Sequence, residues 1–553
     1  MPAQGSDQSD EWVRLGVEAQ VSGNLPLAQT RYQQALRLDP RHSIATQNLA
    51  IVFAQSAMQN EALLTIERAA MMDGDHGCIN VNWGLMALEA DRIDIALEQA
   101  RKGYEKEPNA NSRLALAMVS ATAGRPQDAI PLYNEMLADD PKHGAAGPNS
   151  CFVMTLTNST PAELLAQRQK WYKANRYEGK IEQHRNDRST DRPIRVGYVG
   201  GDFKQHSAAF IFARVLLHHS ADVEMYLYSS LPVDPVADVR TKKFQDAAPD
   251  RWRDISAMND EDADRLIRKD KIDILVDLAG HTNGGRLGLF TRKPAPVQVT
   301  AWGFAHGTGL PEIDAFFADP VSVPADERQH YAERIIDLPC IVTMEPPVEY
   351  NLKGTSSPPL RANGYVTFGS YARYEKMSDD CLKAFAEILR RVPDSRMQFK
   401  DHAFRRPYSI RRIQSFMNGI EPERLLFSIA TNHPDHLLAY QQADLCLDPW
   451  PHGGGVVSLE TIFMGVPIIT RYGTQPSGRS AASVLTAMGR KEWIANSPAE
   501  YIAKAVEWSD RTKELAEARK TLRQELLDSP VVNGYAEAVE SKYKELWRQY
   551  VDQ

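Results

Sequence analysis

The stretch "DPWPHGGGVVSLETIFMGVP", residues 448 to 467, sets Gly453, Gly454 and Gly455 between a short apolar run and a helical pattern beginning near Val456. Glycines let backbone approach a ligand closely, and a helix start aims unpaired N–H groups and a positive dipole end at it; together they make a seat for phosphate. The run lacks the Lys-Ser/Thr ending of a P-loop and the spacing of the dinucleotide fingerprint, and a plain tight turn explains the glycines equally well. Glu460, one turn into the helix, adds a carboxylate able to accept from both hydroxyls of a ribose. A phosphate seat beside a ribose acceptor points to a nucleoside diphosphate, with a nucleotide sugar as the leading class.

Other chemistry-bearing side chains fall just after apolar runs that read as strands: His206, His281, His306, Arg373, Lys376, His433 and His436. In open α/β sheets ligands sit outside the carboxyl ends of the strands, so these positions belong to one class of place. A single loop histidine is more often a hydrogen-bonding surface residue, but five of the chain's 14 histidines share this placement. The elements that position them alternate strand and helix, as in "IRVGYVGGDFKQHSAAFIFARVL" and "KIDILVDLAGHTNG", which implies parallel sheets. Two such blocks, 191–350 and 360–530, flank the proline-rich "EPPVEYNLKGTSSPP" and predict two doubly wound, Rossmann-like lobes. Residues 531–553 predict a last helix, with Tyr535, Val539, Tyr543, Leu546 and Tyr550 near one face, folding back onto the first lobe.

The first third repeats. Ala28, Ala62, Ala96 and Ala129 recur at intervals of 34, 34 and 33, with Ala35, Ala69, Gly103 and Met136 in the same register. Small residues at fixed places let paired helices approach, and Pro40, Gly74, Pro108 and Pro141 stop each second helix. This pattern resembles about four tetratricopeptide repeats over 11–144, a protein-binding solenoid, followed by a helical connector over 145–190.

Composition narrows the partners. A net charge of -8 offers no basic footprint for nucleic acid, and no apolar run is long enough to span a bilayer. An N-terminus without a positive start or apolar stretch predicts a cytoplasmic address. Five scattered cysteines have no zinc or disulfide spacing and read as mostly buried thiols.

The repeat array followed by "RVGYVGGDFKQH", "DILVDLAGHTNGGRLGLFTRKPAPVQVTAWG", "EKMSDDCLKAFAEILRRVPDS", "HLLAYQQADLCLDPW" and "SLETIFMGVPIIT" resembles the O-linked N-acetylglucosamine transferases of glycosyltransferase family 41, in their short bacterial form, over roughly residues 11 to 545. The resemblance implies an α/β GT-B fold behind an all-α solenoid, and an inverting, metal-independent transfer of a sugar from a nucleotide sugar, UDP-GlcNAc or another UDP-hexose by default, to Ser or Thr of a protein acceptor. It implies Lys376 on the donor diphosphate and leaving group, His436 beside the base, Glu460 on the ribose where the family often has Asp, and His206 near the acceptor hydroxyl as base or positioning group. His281 and Thr282 lie in its "GHT" motif, Thr431 and Gly303 fall at donor-side positions, and Arg479 matches an arginine that could equally be structural.

Departures carry as much information. Val456 and Val457 stand where the family has two threonines, leaving only backbone donors, and Arg373 replaces a glutamine. Trp302 and His306 replace residues of the loop shaping the sugar and acceptor pocket. An added arginine would suit an acidic sugar, so a flagellin-type transferase using a CMP-nonulosonic acid is one alternative; a catalytically weak, repeat-containing nucleotide-sugar-binding adaptor is another. No cofactor is expected, and "DEDAD", residues 260 to 264, opens a predicted helix rather than forming a metal-binding Asp-x-Asp after a strand.

Overall fold

The computed structural model describes residues 3–73, 75–234, 236, 238–352 and 357–553. Gly74, expected to stop a repeat helix, and residues 353–356 of the proline-rich stretch lie outside the described residues. By internal contacts the chain divides into two units, Met1–Ala146 with Ala403–Ile413, and Gly147–His402 with Gln414–Gln553.

In the first unit the 34-residue period is four helix pairs: Ala3–Val21 with Leu25–Leu38, Ser43–Gln55 with Gln59–Met72, Gly77–Glu89 with Ile93–Lys106, and Ala110–Thr122 with Pro126–Asp139. Ala28, Ala62, Ala96 and Ala129 are at most 1% exposed, so each pair touches through a methyl group. Gly103 shows why the second small column matters: a Cβ there would come within 2.6 Å of Val81 Cγ2 on the partner helix. Helices end at Leu38, Lys106 and Asp139, each two residues before a proline.

The second unit holds two parallel sheets. The first comprises β1 (Ile194–Gly200), β2 (Val223–Ser229), β3 (Trp252–Asp254), β4 (Ile274–Asp277), β5 (Val297–Thr300), β6 (Ala315–Ala318) and β7 (Arg334–Asp337), ordered β3-β2-β1-β4-β5-β6-β7. The second comprises β8 (Thr367–Ser370), β9 (Arg396–Lys400), β10 (Leu425–Ser428), β11 (Leu445–Leu447), β12 (Ile468–Arg471) and β13 (Ile494–Ala495), ordered β10-β9-β8-β11-β12-β13. Strand order reverses between β1 and β4 and between β8 and β11, the switch points where such sheets open a crevice.

The connector belongs to this unit, not between units. Its helices Ala146–Met154 and Pro161–Asn175 lie against both lobes: the Thr155 hydroxyl meets His452 Nδ1 at 3.1 Å, Gln475 Nε2 donates to the carbonyls of Thr157 and Ser159, and Tyr172 donates to Glu312. The last helix, Tyr535–Val551, packs on helix Ser207–Leu216, β1 and β5 of the first lobe. Tyr535, Val539 and Tyr543 are fully covered there. Cys78 is exposed and the other four thiols are buried.

Candidate active site

The second sheet's switch point brings the glycine turn and the lysine together. Parallel register pairs Leu445 with Phe368 and Cys446 with Gly369, so the residues after β8 and β11 leave the sheet on the same side. Lys376 ends a short 3-10 turn, Tyr374–Lys376, and its Nζ donates to the Gly453 carbonyl at 2.9 Å. Burial, reinforced by the positive Arg373, pulls this ammonium from 10.5 down to about 7. An anion alongside would restore the charge.

The glycines divide their work differently from the sequence expectation. The Gly453 amide donates to Ser477 O at 3.1 Å and the Gly454 amide to Asp448 Oδ1 at 2.7 Å, so neither is a bare donor. Their smallness serves packing: a Cβ on Gly453 would sit 2.8 Å from Asp448 Oδ2, and one on Gly454 2.6 Å from Ser458 Oγ. The open donors lie one step on. Gly455 caps helix Val456–Phe463 without a side-chain hydrogen bond, and the amides of Gly455, Val456 and Val457 have no protein acceptor among the described residues. A Cβ on Gly455 would meet nothing within 4 Å. Asp448, not among the residues singled out by motif although it opens the quoted stretch, is buried between the Gly454 amide and the Thr470 hydroxyl, and burial raises its carboxyl to about 6.

Glu460 faces the neighbouring helix His433–Tyr440 rather than solvent. It is 4% exposed; Oε1 meets His433 Nε2 at 2.7 Å and Oε2 accepts from Tyr440 at 2.9 Å. His436 Nε2 approaches the same Tyr440 hydroxyl at 3.1 Å, and burial lowers its pKa. His433 also meets the Tyr350 hydroxyl at 3.2 Å and lies 4.3 Å, centroid to centroid, from Phe210 of the first lobe. Its strand-end position gives no sign of this bridging place. Thr431 is exposed and accepts from Lys400 Nζ at 3.0 Å.

In the first lobe, His206 caps helix Ser207–Leu216. Its Nδ1 lies 3.3 Å from both the Ala208 amide and Asp202 Oδ2, and its side chain is 46% exposed. The other expected residues are drawn inward. His281 is buried, meets the Thr308 carbonyl through Nε2 at 2.8 Å and is held neutral by burial, with its pKa down to about 4. Its ring is spent on that carbonyl in this arrangement. His306, 2% exposed, has neither ring nitrogen hydrogen-bonded among the described residues, and burial takes its pKa to about 3. Trp302 donates to Tyr535 on the last helix at 3.1 Å and so fastens that helix. At Gly303 a Cβ would collide with the Leu278 carbonyl, so packing alone requires a glycine there. Thr282 donates to Ala279 O, and Arg479 is locked to Glu327 at 2.6 and 2.7 Å. Arg373 remains exposed, 5.8 Å over the Phe152 ring.

The "DEDAD" acids pair with arginines: Asp260 with Arg286, Glu261 and Asp262 with Arg265, Asp264 with Arg268. Among the described residues no group of three or more His, Cys, Asp or Glu side chains could hold a metal ion, and no helix is long and apolar enough to cross a membrane.

With this geometry in view, the glycosyl transferase family 41 pattern matches residues 164–343 and 359–539, covering both lobes. The chain belongs to glycosyl transferase family 41. Tetratricopeptide repeats match 13–73 and 81–144. Relatives include the probable UDP-N-acetylglucosamine–peptide N-acetylglucosaminyltransferase SPINDLY of Solanum lycopersicum, 33% identical over 429 residues, 75% of this chain and 45% of the relative. Another is SEC of Arabidopsis thaliana, with the same probable activity in its name, 27% identical over 366 residues, 64% of this chain and 37% of the relative. The chain thus spans less than half the length of these curated relatives. A solved Thermobaculum terrenum O-GlcNAc transferase mutant superposes with a TM-score of 0.78 at 24% identity, covering 100% of this chain and 99% of that one, which gives the family 41 chain the same GT-B fold.

Proposed function

We propose that the chain is an inverting, metal-independent protein O-glycosyltransferase. It moves a sugar from a nucleoside-diphosphate donor, by default UDP-N-acetylglucosamine or another UDP-hexose, to Ser or Thr of acceptors recruited by the repeats in the cytoplasm. The observation that carries this is the Lys376 ammonium on the Gly453 carbonyl, beside a helix start whose Gly455, Val456 and Val457 amides are open. The acceptor hydroxyl attacks the anomeric carbon as the bond to the diphosphate oxygen breaks. Its electron pair stays on the leaving diphosphate, where the ammonium and helix amides meet the growing charge. His206, half-exposed at its helix start, is placed to take the hydroxyl proton or to position the acceptor. A charged lysine and a helix dipole supply the positive field that a divalent ion supplies in other nucleotide-sugar enzymes.

The exposed Arg373 favours a second donor class, an acidic sugar on CMP, with flagellin among the acceptor types. Incubating the purified chain with an acceptor extract and labelled UDP-, GDP- and CMP-linked sugars, with and without EDTA, separates the readings. Transfer from a diphosphate donor that survives EDTA and disappears in Lys376→Ala is expected. Labelling that persists in Lys376→Ala removes the proposed site, and nucleotide-sugar binding without transfer favours an adaptor.

A further inference from the structure

The carboxyl end of the second sheet holds a cation that the transfer chemistry does not use. Lys400 closes β9, next to β8 in the sheet, and is 5% exposed. Lysines are rarely so covered unless paired. Here Nζ donates to Thr431 Oγ1 at 3.0 Å and has no carboxylate within ion-pair distance among the described residues, so two of its N–H bonds lack a protein acceptor. Burial lowers the ammonium's pKa, against the pull of nearby Asp435. A covered ammonium with N–H bonds to spare, at the carboxyl end of the second sheet, is placed for a ligand atom.

The neighbouring imidazole adds the complementary group. The Tyr440 proton goes to Glu460 Oε2 at 2.9 Å, so at the 3.1 Å contact with the same hydroxyl His436 is the donor through Nε2, and its Nδ1 keeps a lone pair with no protein partner among the described residues. These groups adjoin the helix whose first amides are open: Glu460 of that helix lies 3.7 Å from His436 Nε2, with both its oxygens already taken by His433 and Tyr440, and the Lys400 charge is near enough to disfavour protonation of His436.

We propose that Lys400, held by Thr431, and His436 read the donor's base by its carbonyl edge: the ammonium donates to a ring C=O and the imidazole accepts from the adjacent ring N–H. Uracil and guanine both present that pair. Cytosine presents an amino group and a bare ring nitrogen in its place, which turns N–H toward N–H. The base class is therefore a lactam base, and Lys400 is a specificity-determining residue against cytidine donors. This rests on the nucleotide-donor reading of the same site.

Calorimetric titration of the full chain with UDP, GDP, CDP and base-free pyrophosphate, in wild type and Lys400→Met, tests it. Wild type should bind UDP or GDP at least about 10-fold tighter than CDP, the two arms telling uracil from guanine. Lys400→Met should lose about 10- to 100-fold for the preferred nucleotide, as expected for a hydrogen bond from a charged donor, with pyrophosphate unchanged and the thermal midpoint retained. If Lys400→Met fails to fold, Lys400→Arg should keep the preference for UDP or GDP over CDP, and its loss there counts against the proposal. Unchanged base preference in a folded Lys400→Met, or tightest binding of CDP, overturns the proposal while leaving the transferase reading intact. No nucleotide binding by wild type overturns both.

Discussion

The carboxyl ends of the two sheets treat their polar groups in opposite ways. In the first lobe the histidine loops close on themselves: His281 satisfies the Thr308 carbonyl, His306 is sealed, and Trp302 ties the last helix down. In the second lobe the corresponding loops leave donors open, at Lys376, at Lys400 and along the start of helix Val456–Phe463. Buried neutral imidazoles build a rigid floor, whereas unspent N–H groups at a switch point build a handle for an anion. The lobes therefore share a fold and differ in what they leave open; on the proposed reading the second grips the donor and the first contributes chiefly the partly exposed His206.

The sharpest test of that contrast removes the handle. Lys376→Ala should cut kcat/KM by about 100- to 1000-fold, read as initial transfer rates, without lowering the thermal midpoint, because the lost group is a poorly solvated charge. A comparable loss from His281→Asn would place the chemistry in the first lobe instead.

Next come the glycines. Gly453→Ala presses a methyl group on Asp448 and should cost about 1–3 kcal/mol of stability. Gly455→Ala should fold normally and raise the donor KM, since its methyl enters only open space. Chemical denaturation beside donor titration separates the two, and equal destabilisation would mean that the turn is purely structural.

A smaller effect follows pH. In the free enzyme Lys376 loses its proton near 7, so kcat/KM should fall as pH rises through about 7. Lys376→Arg, whose guanidinium stays charged, should flatten that limb. Between about 7 and the ordinary 10.5 the native chain binds fewer protons than the unfolded one, so this residue's contribution to stability rises with pH over that window. A profile unchanged by Lys376→Arg assigns the limb to another group.

The smallest effect is expected at His306. His306→Leu removes two unpartnered buried nitrogens and should leave transfer intact, with stability unchanged or raised by about 1 kcal/mol. A large rate loss would make it a working part of the pocket.

How much the sequence revealed follows the range of the physics involved. Helix pairing was legible because methyl-sized contacts must recur each turn of the repeat, and the sheets because strand and helix periods differ. The proximity of Lys376 to the glycine turn was legible only through position after a strand. Which amides were free was not, because Gly453 and Gly454 spend theirs on Ser477 and Asp448, and Ser477 lies 24 residues on. The inward turn of Trp302 was equally hidden, since its partner Tyr535 is 233 residues away. Composition at a loop tells what a side chain can do, not whether another segment has already claimed it.

The segment between the repeats and β1 has a practical consequence. A fragment cut to begin at residue 190 would strip a wall from the two-lobed unit: His452 would lose the hydroxyl that orients its ring, and Gln475 would lose both carbonyls it holds. Cutting just ahead of Ala146 spares these ties, but it strips the partner from Ala403–Ile413, which groups with the repeats and sets Arg406 on Asp91 at 2.7 Å, so an exchanged or shortened array must keep that contact.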